Sequence, residues 1–403
     1  ENLRLRLGLT TDAHRAARDA YLHTAMLGAR SRTGRCDVIC GKGGGDGSAL
    51  LPSRLLLAAP PAELPRRVKT LFREIEPPEA GMRWHMEWRW KVREAEPSQR
   101  LSVTSLSDYL SCPFRYYLKH VISMSSPEPG RPEWNPRDFG TVTHEVLERW
   151  GNDLEAREFS KSEALEKWFI AELDRVVDEW FGKTPPLAVR IQREAMTRRF
   201  QWLARVQACE RAAGWRVIDV ERKIIIPVAT GAEIVAKMDR VDLNGRDGRR
   251  RVIDYKTGKV DNVDKAHRKK ITNPERIPAH TPWDSPIVHE GEEKGKPVHF
   301  QWINLQLPLY ASAVVARGDE LPIPAYFTFG LTEADVKVHE WHAFSEDDLA
   351  SATACAEWIA ARIAAKAFWP PAPDPAYDDY HLLGYGRELK DAVLPPYSLP
   401  ETP

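Results

Sequence analysis

Two strand-like segments place acids and a lysine close together: Ala236-Lys237-Met238-Asp239-Arg240-Val241-Asp242 and Val252-Ile253-Asp254-Tyr255-Lys256-Thr257-Gly258. Side chains alternate across a strand, so Asp254 and Lys256 share one face. A hairpin turn near Gly245 to Gly248 brings Asp239 beside them on the neighbouring strand. Two carboxylates converging at a strand end offer oxygen ligands to a hard cation such as Mg²⁺ or Mn²⁺. A lysine next to that ion can orient or help deprotonate an attacking water and neutralise charge on a phosphate. Together these groups suit metal-assisted phosphodiester hydrolysis. The competing reading of Asp254-x-Lys256 is an ordinary cross-strand ion pair.

Three further elements bear on that choice. His144 lies in Phe139-Gly140-Thr141-Val142-Thr143-His144-Glu145, read as a glycine loop entering a helix, where a neutral imidazole can be a further metal ligand. Glu221 is an acid inside the strand-like run Val217-Ile218-Asp219-Val220-Glu221, and it either turns toward the metal or faces solvent. Gln306 and Tyr310, in Gln306-Leu307-Pro308-Leu309-Tyr310, stand at i and i+4 on one helical face, so both polar heads reach one region. Singly, each has a plainer explanation as a packing or surface residue.

The elements that must position these groups follow from periodicity. Strands are expected over Trp215 to Val228, Glu233 to Leu243 and Arg250 to Lys256, then Pro324 to Gly330 and near Val336 to Trp341. Helices are expected from Ser105-x-x-Asp108 to Pro113, from a Ser160-x-x-Glu163 cap to Phe181, and over 187–213, 302–315 and 347–366. Residues 258–299 are polar and too long for a simple connection, so they read as a functional insertion. At the start, a helix is expected from Asp12 to Ala29 and a strand at Cys36-Asp37-Val38-Ile39-Cys40. The glycine cluster 41–48 invites a phosphate-loop reading. However, Cys36 stands where the first glycine belongs and Gly43 replaces the Ser/Thr, so this chain alone is expected to bind no nucleotide.

The ordered set Gly140-x-x-x-His144, Glu221, Asp239, Asp254-Tyr255-Lys256 and Gln306-x-x-Leu309-Tyr310 resembles the RecB-like branch of the PD-(D/E)XK nucleases. Within that branch it resembles the C-terminal nuclease part of AddB-type helicase-nuclease subunits. The stretch Ser102 to Phe114 looks like that family's opening helix. The resemblance implies an α/β fold: a mixed central β-sheet flanked by helices, restriction-endonuclease-like, here with a small N-terminal α/β segment. By it, His144, Asp239, Asp254 and the Tyr255 backbone carbonyl would hold Mg²⁺ or Mn²⁺. Lys256 would position the water, Glu221 would support the metal shell, and Gln306 and Tyr310 the DNA-side geometry. The expected domains are 1–98 (a partial helicase-like accessory segment and linker), 99–368 (the nuclease) and 369–403 (a proline-rich tail extended over the surface). The linker is the charged stretch 75–98 with Trp84, Trp88 and Trp90. Members of the branch can carry an iron-sulfur cluster on one cysteine of the opening helix and three near the C-terminus. Here Cys112 matches the first, Cys355 is the lone downstream candidate, and no cluster is expected; Cys112 reads as a packing thiol.

The chain has 403 residues, 58 basic against 58 acidic, 42% hydrophobic and 29% charged. That balance is globular and gives no global pull toward nucleic acid, so a DNA partner must be met locally. Arg249-Arg250-Arg251, Lys256, Lys259, Lys265 and Arg268-Lys269-Lys270 form the one basic concentration near the site, either a phosphate track or a solvated loop. Five cysteines give no disulfide framework, no apolar run suits a membrane span, and a cytoplasmic location is expected. Glu1 is not an initiator Met, so the chain reads as a fragment of a longer protein. The expected function is a divalent-metal-dependent DNA nuclease, acting from an end in repair or recombination, with a helicase-nuclease partner subunit. The alternatives are a catalytically silent DNA-binding or scaffold subunit, and an unrelated α/β protein with a structural Asp-x-Lys.

Overall fold

The computed structural model describes residues 2–6, 9–30, 34–44, 47–73, 89–126, 133–260, 262–278, 280–293, 296–373, 375, 378–384 and 386–394. The chain divides into two compact units, Glu1–Met86 and Glu87–Pro403. None of its described helices is long and apolar enough to cross a membrane.

In the first unit the helix Asp12–Arg30 forms as expected. The strand expected over Cys36–Cys40 does not form: Val38 and Ile39 are exposed, and the one β pairing described in this unit is an isolated bridge between Gly43 and Ala49. A strand without a second strand leaves its backbone groups to water, and its apolar side chains have no face to cover. The described part of the glycine cluster opens no helix; Gly45 and Asp46 of that cluster, and Trp84 and Trp88 of the expected linker, lie outside the described residues.

The second unit is built on a mixed six-stranded sheet. Its strands are β1 (Arg100–Ser102), β2 (Trp215–Pro227), β3 (Glu233–Asn244), β4 (Arg250–Lys256), β8 (Ile323–Phe329) and β9 (Val336–Glu340). β2 pairs antiparallel with β3 along its whole length, from Trp215↔Asn244 to Pro227↔Glu233. The opposite edge of β3 is shared: β1 pairs parallel over 233–235, and β4 antiparallel over 240–243. Residues 236–239 on that edge therefore have no strand neighbour. β4 runs on past its last pair with β3 and stays paired in parallel with β8 as far as Lys256↔Thr328. The sheet thus splays at Asp239 and Asp254.

Two hydrophobic clusters cover the sheet. One is formed with α1 (Val103–Ser111), α5 (Gln306–Val315) and α6 (Glu346–Ala364), through residues such as Leu106, Leu309 and Ile359. The other is formed with α2 (Pro136–Asn152), α3 (Ser162–Phe181) and α4 (Leu187–Ala212), through Val146, Phe169 and Phe200. Alternation along β4 sends Val252 into the first and Ile253 into the second, which is the pattern of a sheet buried on both faces.

Local chemistry moves several boundaries. α1 begins at Val103 because Ser102, not Ser105, caps it, accepting from the Ser105 N–H at 3.1 Å. α2 begins at Pro136, set by a capping box between Asn135 and Asp138, so Gly140 lies inside the helix rather than in an entering loop. α3 has Lys161 at its cap and no capping side chain, so Ser160 is not the start signal. Trp302 ends a strand, and α5 starts only at Gln306.

The 258–299 insertion is folded. β5 (Arg268–Lys270), β6 (Val288–Glu293) and β7 (Lys296–Trp302) make a separate antiparallel sheet in the order β5-β7-β6. Nor is the tail merely extended over the surface. Ala372, Leu389 and Val393 join the first cluster, and Val393–Leu394 pairs with Trp90–Lys91. Arg115 anchors it, donating to Asp378 and to the Ala372 carbonyl. Cys112 is fully buried; its Sγ accepts from the Ala372 N–H at 3.2 Å.

Candidate metal centre and its lysine clamp

The site sits where the sheet splays. At Asp239 the ladder between β3 and β4 has ended, and the Tyr255 N–H donates to the Asp239 carboxylate at 2.8 Å. A side-chain oxygen has replaced a strand carbonyl as acceptor, and this ties the acid to the β4 backbone. On the other strand, the Lys237 carbonyl lies in the unpaired stretch of β3, and the Tyr310 hydroxyl donates to it at 2.8 Å. A strand carbonyl without a strand neighbour still needs a donor, and α5 supplies one.

Glu221 lies between the pairs Val220↔Arg240 and Arg222↔Met238 and so stands opposite Asp239. Its φ of 49° is left-handed, an unfavourable conformation for a residue with a side chain. The neighbouring register shift between Val217 and Asp219 marks the same irregular stretch of β2. Such a kink re-aims a side chain that a regular strand would place elsewhere. Glu221 accordingly turns inward: its carboxylate pairs with Lys237 Nζ at 2.8 Å and lies 3.9 Å from His144 Nδ1.

His144 arrives from α2, with Nδ1 3.6 Å from Asp239. α2 can lie close to β2 because residue 151, two turns further on, is glycine. A Cβ there would fall 2.8 Å from Val220 Cγ1 and nearer still to Cγ2. One nitrogen or oxygen from each of His144, Glu221 and Asp239 falls within a 4.8 Å group.

Beside this group is a clamp. Lys256 Nζ approaches Asp254 Oδ2 at 2.7 Å and donates to Gln306 Oε1 at 3.1 Å. Gln306 Nε2 in turn donates to Asp254 Oδ1 at 2.6 Å and lies 3.0 Å from the Tyr310 hydroxyl. One amide therefore holds both members of the Asp-Lys pair, and one turn of α5 ties it to Tyr310. The Lys256 ammonium also lies over the Tyr326 ring, 5.1 Å from its centroid.

Electrostatics reflect crowded acids. Burial and the nearby Asp254 push the Asp239 pKa well upward. Burial acts to lower the His144 pKa, but Glu221, Asp239 and Asp254 outweigh it and raise it. Burial alone would raise Glu221, but His144 and Lys237 bring it down. A divalent cation fits this environment on two counts. The donors are one imidazole and carboxylate oxygens, and the buried Asp254 Oδ2 has the Lys256 ammonium, 2.7 Å away, as its one partner among the described residues.

All six residues singled out for chemistry from the sequence, Asp239, Asp254, Lys256, Glu221, Gln306 and Tyr310, meet here together with His144. They form two subgroups: His144, Glu221 and Asp239 in one, Asp254 with Lys256 and Gln306 in the other. Tyr255 contributes its N–H to Asp239, while its ring packs in the cluster of α2, α3 and α4. Lys237 was not anticipated. Its signal, a Lys-x-Asp spacing on one strand face, was present in the sequence.

The basic concentration is largely neutralised. Arg251 is 1% exposed and pairs with Asp242, Glu210 and Glu340, Arg249 pairs with Asp247, Arg250 with Asp319, and Arg268 with Asp264 and Asp348. Lys259, Lys265, Lys269 and Lys270 stay at the surface. Arginines cannot be buried uncharged, so in a sheet covered on both faces they recruit acids.

Comparison with known proteins agrees with the resemblance. Residues 100–280 match the model of the PD-(D/E)XK nuclease superfamily. A subunit of the ATP-dependent helicase/deoxyribonuclease of Ruminiclostridium cellulolyticum is 26% identical over 196 residues, 42% of this chain and 16% of its own length. The subunit of the same name from Caldanaerobacter subterraneus is 26% identical over 182 residues, 39% of this chain and 15% of its own. That from Clostridioides difficile is 24% identical over 193 residues, 42% and 16%. The match thus spans about a sixth of the length of these relatives.

Proposed function

We propose that this chain, similar over residues 100–280 to PD-(D/E)XK nucleases, is a divalent-metal-dependent deoxyribonuclease that hydrolyses DNA phosphodiesters from an end. The observation that carries the reading is the pairing of a three-ligand group, His144, Glu221 and Asp239, with the adjoining Asp254–Lys256–Gln306 clamp. An ordinary cross-strand ion pair would have no use for a left-handed glutamate, an inward-turned helical histidine and a glutamine that binds both partners.

In this reading His144, Glu221, Asp239 and Asp254, with the Tyr255 carbonyl, hold Mg²⁺ or Mn²⁺. When bound, the ion supplies Lewis-acid stabilisation of the phosphate oxygens and acidifies the attacking water. Lys256 orients that water and neutralises charge building on the phosphate. Gln306 holds Lys256 and Asp254 through one amide, and Tyr310 fixes Gln306 to the unpaired edge of β3. The name of the relatives, a helicase/deoxyribonuclease subunit, supports a helicase partner and DNA as the substrate.

The test uses end-labelled linear and circular DNA with and without Mg²⁺ or Mn²⁺, on wild type and two variants. Asp254→Ala should abolish cleavage and weaken metal binding. Lys256→Ala should bind metal but cleave roughly a hundredfold or more slowly, the scale of losing a positioned charge or acid-base group. Wild-type cleavage by Lys256→Ala would remove the proposed site. Circular DNA cut as fast as linear would remove the end dependence. A wild type that binds DNA but never cuts it would leave the scaffold alternative.

A further inference from the structure

A groove of about 450 Å³ opens beside the clamp, walled by Trp134 and Phe139 at the start of α2, Arg199 on α4, and Thr257–Gly258 directly after Lys256. It shares no residue with the metal group. At no more than about 3.6 Å per residue, Thr257 and Gly258 stay within roughly 7 Å of Lys256 along the chain.

Arg199 is the unusual residue. Its guanidinium lies over the Phe139 ring at 4.4 Å, and among the described residues it donates to the Phe329 carbonyl at 3.3 Å. Other shielded arginines of this unit have acids: Arg115 with Asp378, Arg240 with Asp242, Arg251 with Asp242, Arg268 with Asp348. Arg199 has none among the described residues; Asp335 lines the same groove, but its carboxylate accepts from the Thr332 hydroxyl at 2.6 Å and its charge is offset by Lys259 and Lys337. Burial without a counter-charge lowers its pKa. A half-buried cation with no acid of its own can take an anionic partner from outside the chain.

Trp134 forms a firm apolar wall beside it: Gln192 clasps its backbone from both sides, at 2.9 Å and 2.8 Å, and the residue is 4% exposed. Between groove and site lies Gly140, whose Cβ would meet nothing closer than Thr257 Oγ1 at 3.9 Å. Packing within the chain therefore does not require glycine there. An arginine with no acid partner among the described residues, on a wall that also carries Lys259, defines a site for an anionic ligand rich in oxygen.

We propose that this groove binds a non-scissile phosphate of the substrate strand, with Arg199 as its principal contact. The proposal rests on the nuclease reading. Arg199 then acts as a register residue, fixing which phosphodiester lies beside Lys256.

The test is DNA binding by fluorescence anisotropy in EDTA, where no strand is cut, from 50 to 200 mM salt, with melting curves for every variant. Arg199→Gln should lower the slope of log affinity against log salt by about 0.7 to 0.9, the contribution of one phosphate contact. Over that fourfold salt range, wild type should lose about threefold more affinity than the variant. Arg199→Lys should keep the slope. Arg198→Gln, an exposed neighbour outside the groove, should also keep it. Leu331→Glu places an acid at the exposed rim without touching the core, and should weaken binding severalfold at 50 mM with the effect fading by 200 mM. The reductions should be equal on strands with and without a terminal phosphate.

A folded Arg199→Gln with the wild-type slope, or a Leu331→Glu that binds as wild type, overturns the groove alone. So does an equal loss in Arg198→Gln, or an effect confined to phosphorylated ends. A wild type that binds no DNA overturns the groove and the nuclease reading together.

Discussion

Replacing Gln306 by leucine tests the clamp with little change in volume. The substitution removes the 2.6 Å donor to Asp254 and the 3.1 Å acceptor from Lys256. Hydrogen bonds to charged groups contribute about 1.5–3 kcal/mol each. Gln306 is half-buried, so water replaces part of this, and about 1.5–3 kcal/mol in total is a reasonable expectation. If that energy holds Lys256 in its working position, single-turnover cleavage should fall roughly tenfold to a hundredfold, at about 1.4 kcal/mol per decade. Gln306 makes no described hydrogen bond to His144, Glu221 or Asp239, and of the proposed ligands it meets Asp254 alone. Manganese affinity by calorimetry should therefore fall by less than the rate does, since three of the four side-chain ligands keep their partners. In a double-mutant cycle, Gln306→Leu should add less than about threefold to Lys256→Ala, because the two act through one contact. Full additivity, or a metal affinity that collapses with the rate, would refute the clamp as a device separate from the ligand group.

Gly151→Ala should destabilise the fold by about 1–3 kcal/mol because its Cβ would overlap the Val220 methyls, whereas Gly140→Ala should melt near wild type; equal melting temperatures would contradict the close approach of α2 to β2. His267 is fully buried, with its pKa lowered to about 3 by burial, its Nδ1 2.9 Å from the Val263 carbonyl and its Nε2 3.2 Å from the Tyr326 hydroxyl. Because the unfolded imidazole takes up a proton near pH 6.5 and the folded one does not, stability contributed by this group is lost as pH falls from about 6.5 toward 3. That amounts to about 2 kcal/mol at pH 5, measurable by urea unfolding against His267→Gln; a difference between the two proteins that does not vary with pH would exclude it. Anaerobically purified protein should be colourless, since Cys112 is engaged with the tail backbone and Cys355 is the one other buried thiol of five cysteines; about four irons per chain would refute this.

The sequence by itself carried the order of elements in the second unit. Alternation set β2, β3 and β4 to within a residue or two, because a sheet buried between two helical layers imposes a strong apolar pattern. The set Asp239, Asp254, Lys256, Gln306 and Tyr310 was legible for the same reason: spacings of two on a strand and four on a helix fix which side chains share a face. Glu221 was not decided by pattern. A regular strand leaves its direction open, and it points inward only because β2 is kinked there, at a left-handed residue held opposite Asp239. The division of the acids into a ligand group and a lysine clamp was likewise tertiary, since it depends on where β4 parts from β3 and on a helix some fifty residues later reaching into the gap. Charge was the most misleading signal. Arg251 and Arg268 read as part of a phosphate track or a solvated loop, but ion pairing across long sequence separations buried them, while Arg199, unremarkable in sequence, was left without an acid among the described residues. Local patterns report local geometry. Whether a charge is spent inside the protein or kept for a ligand depends on partners that only the folded chain brings together.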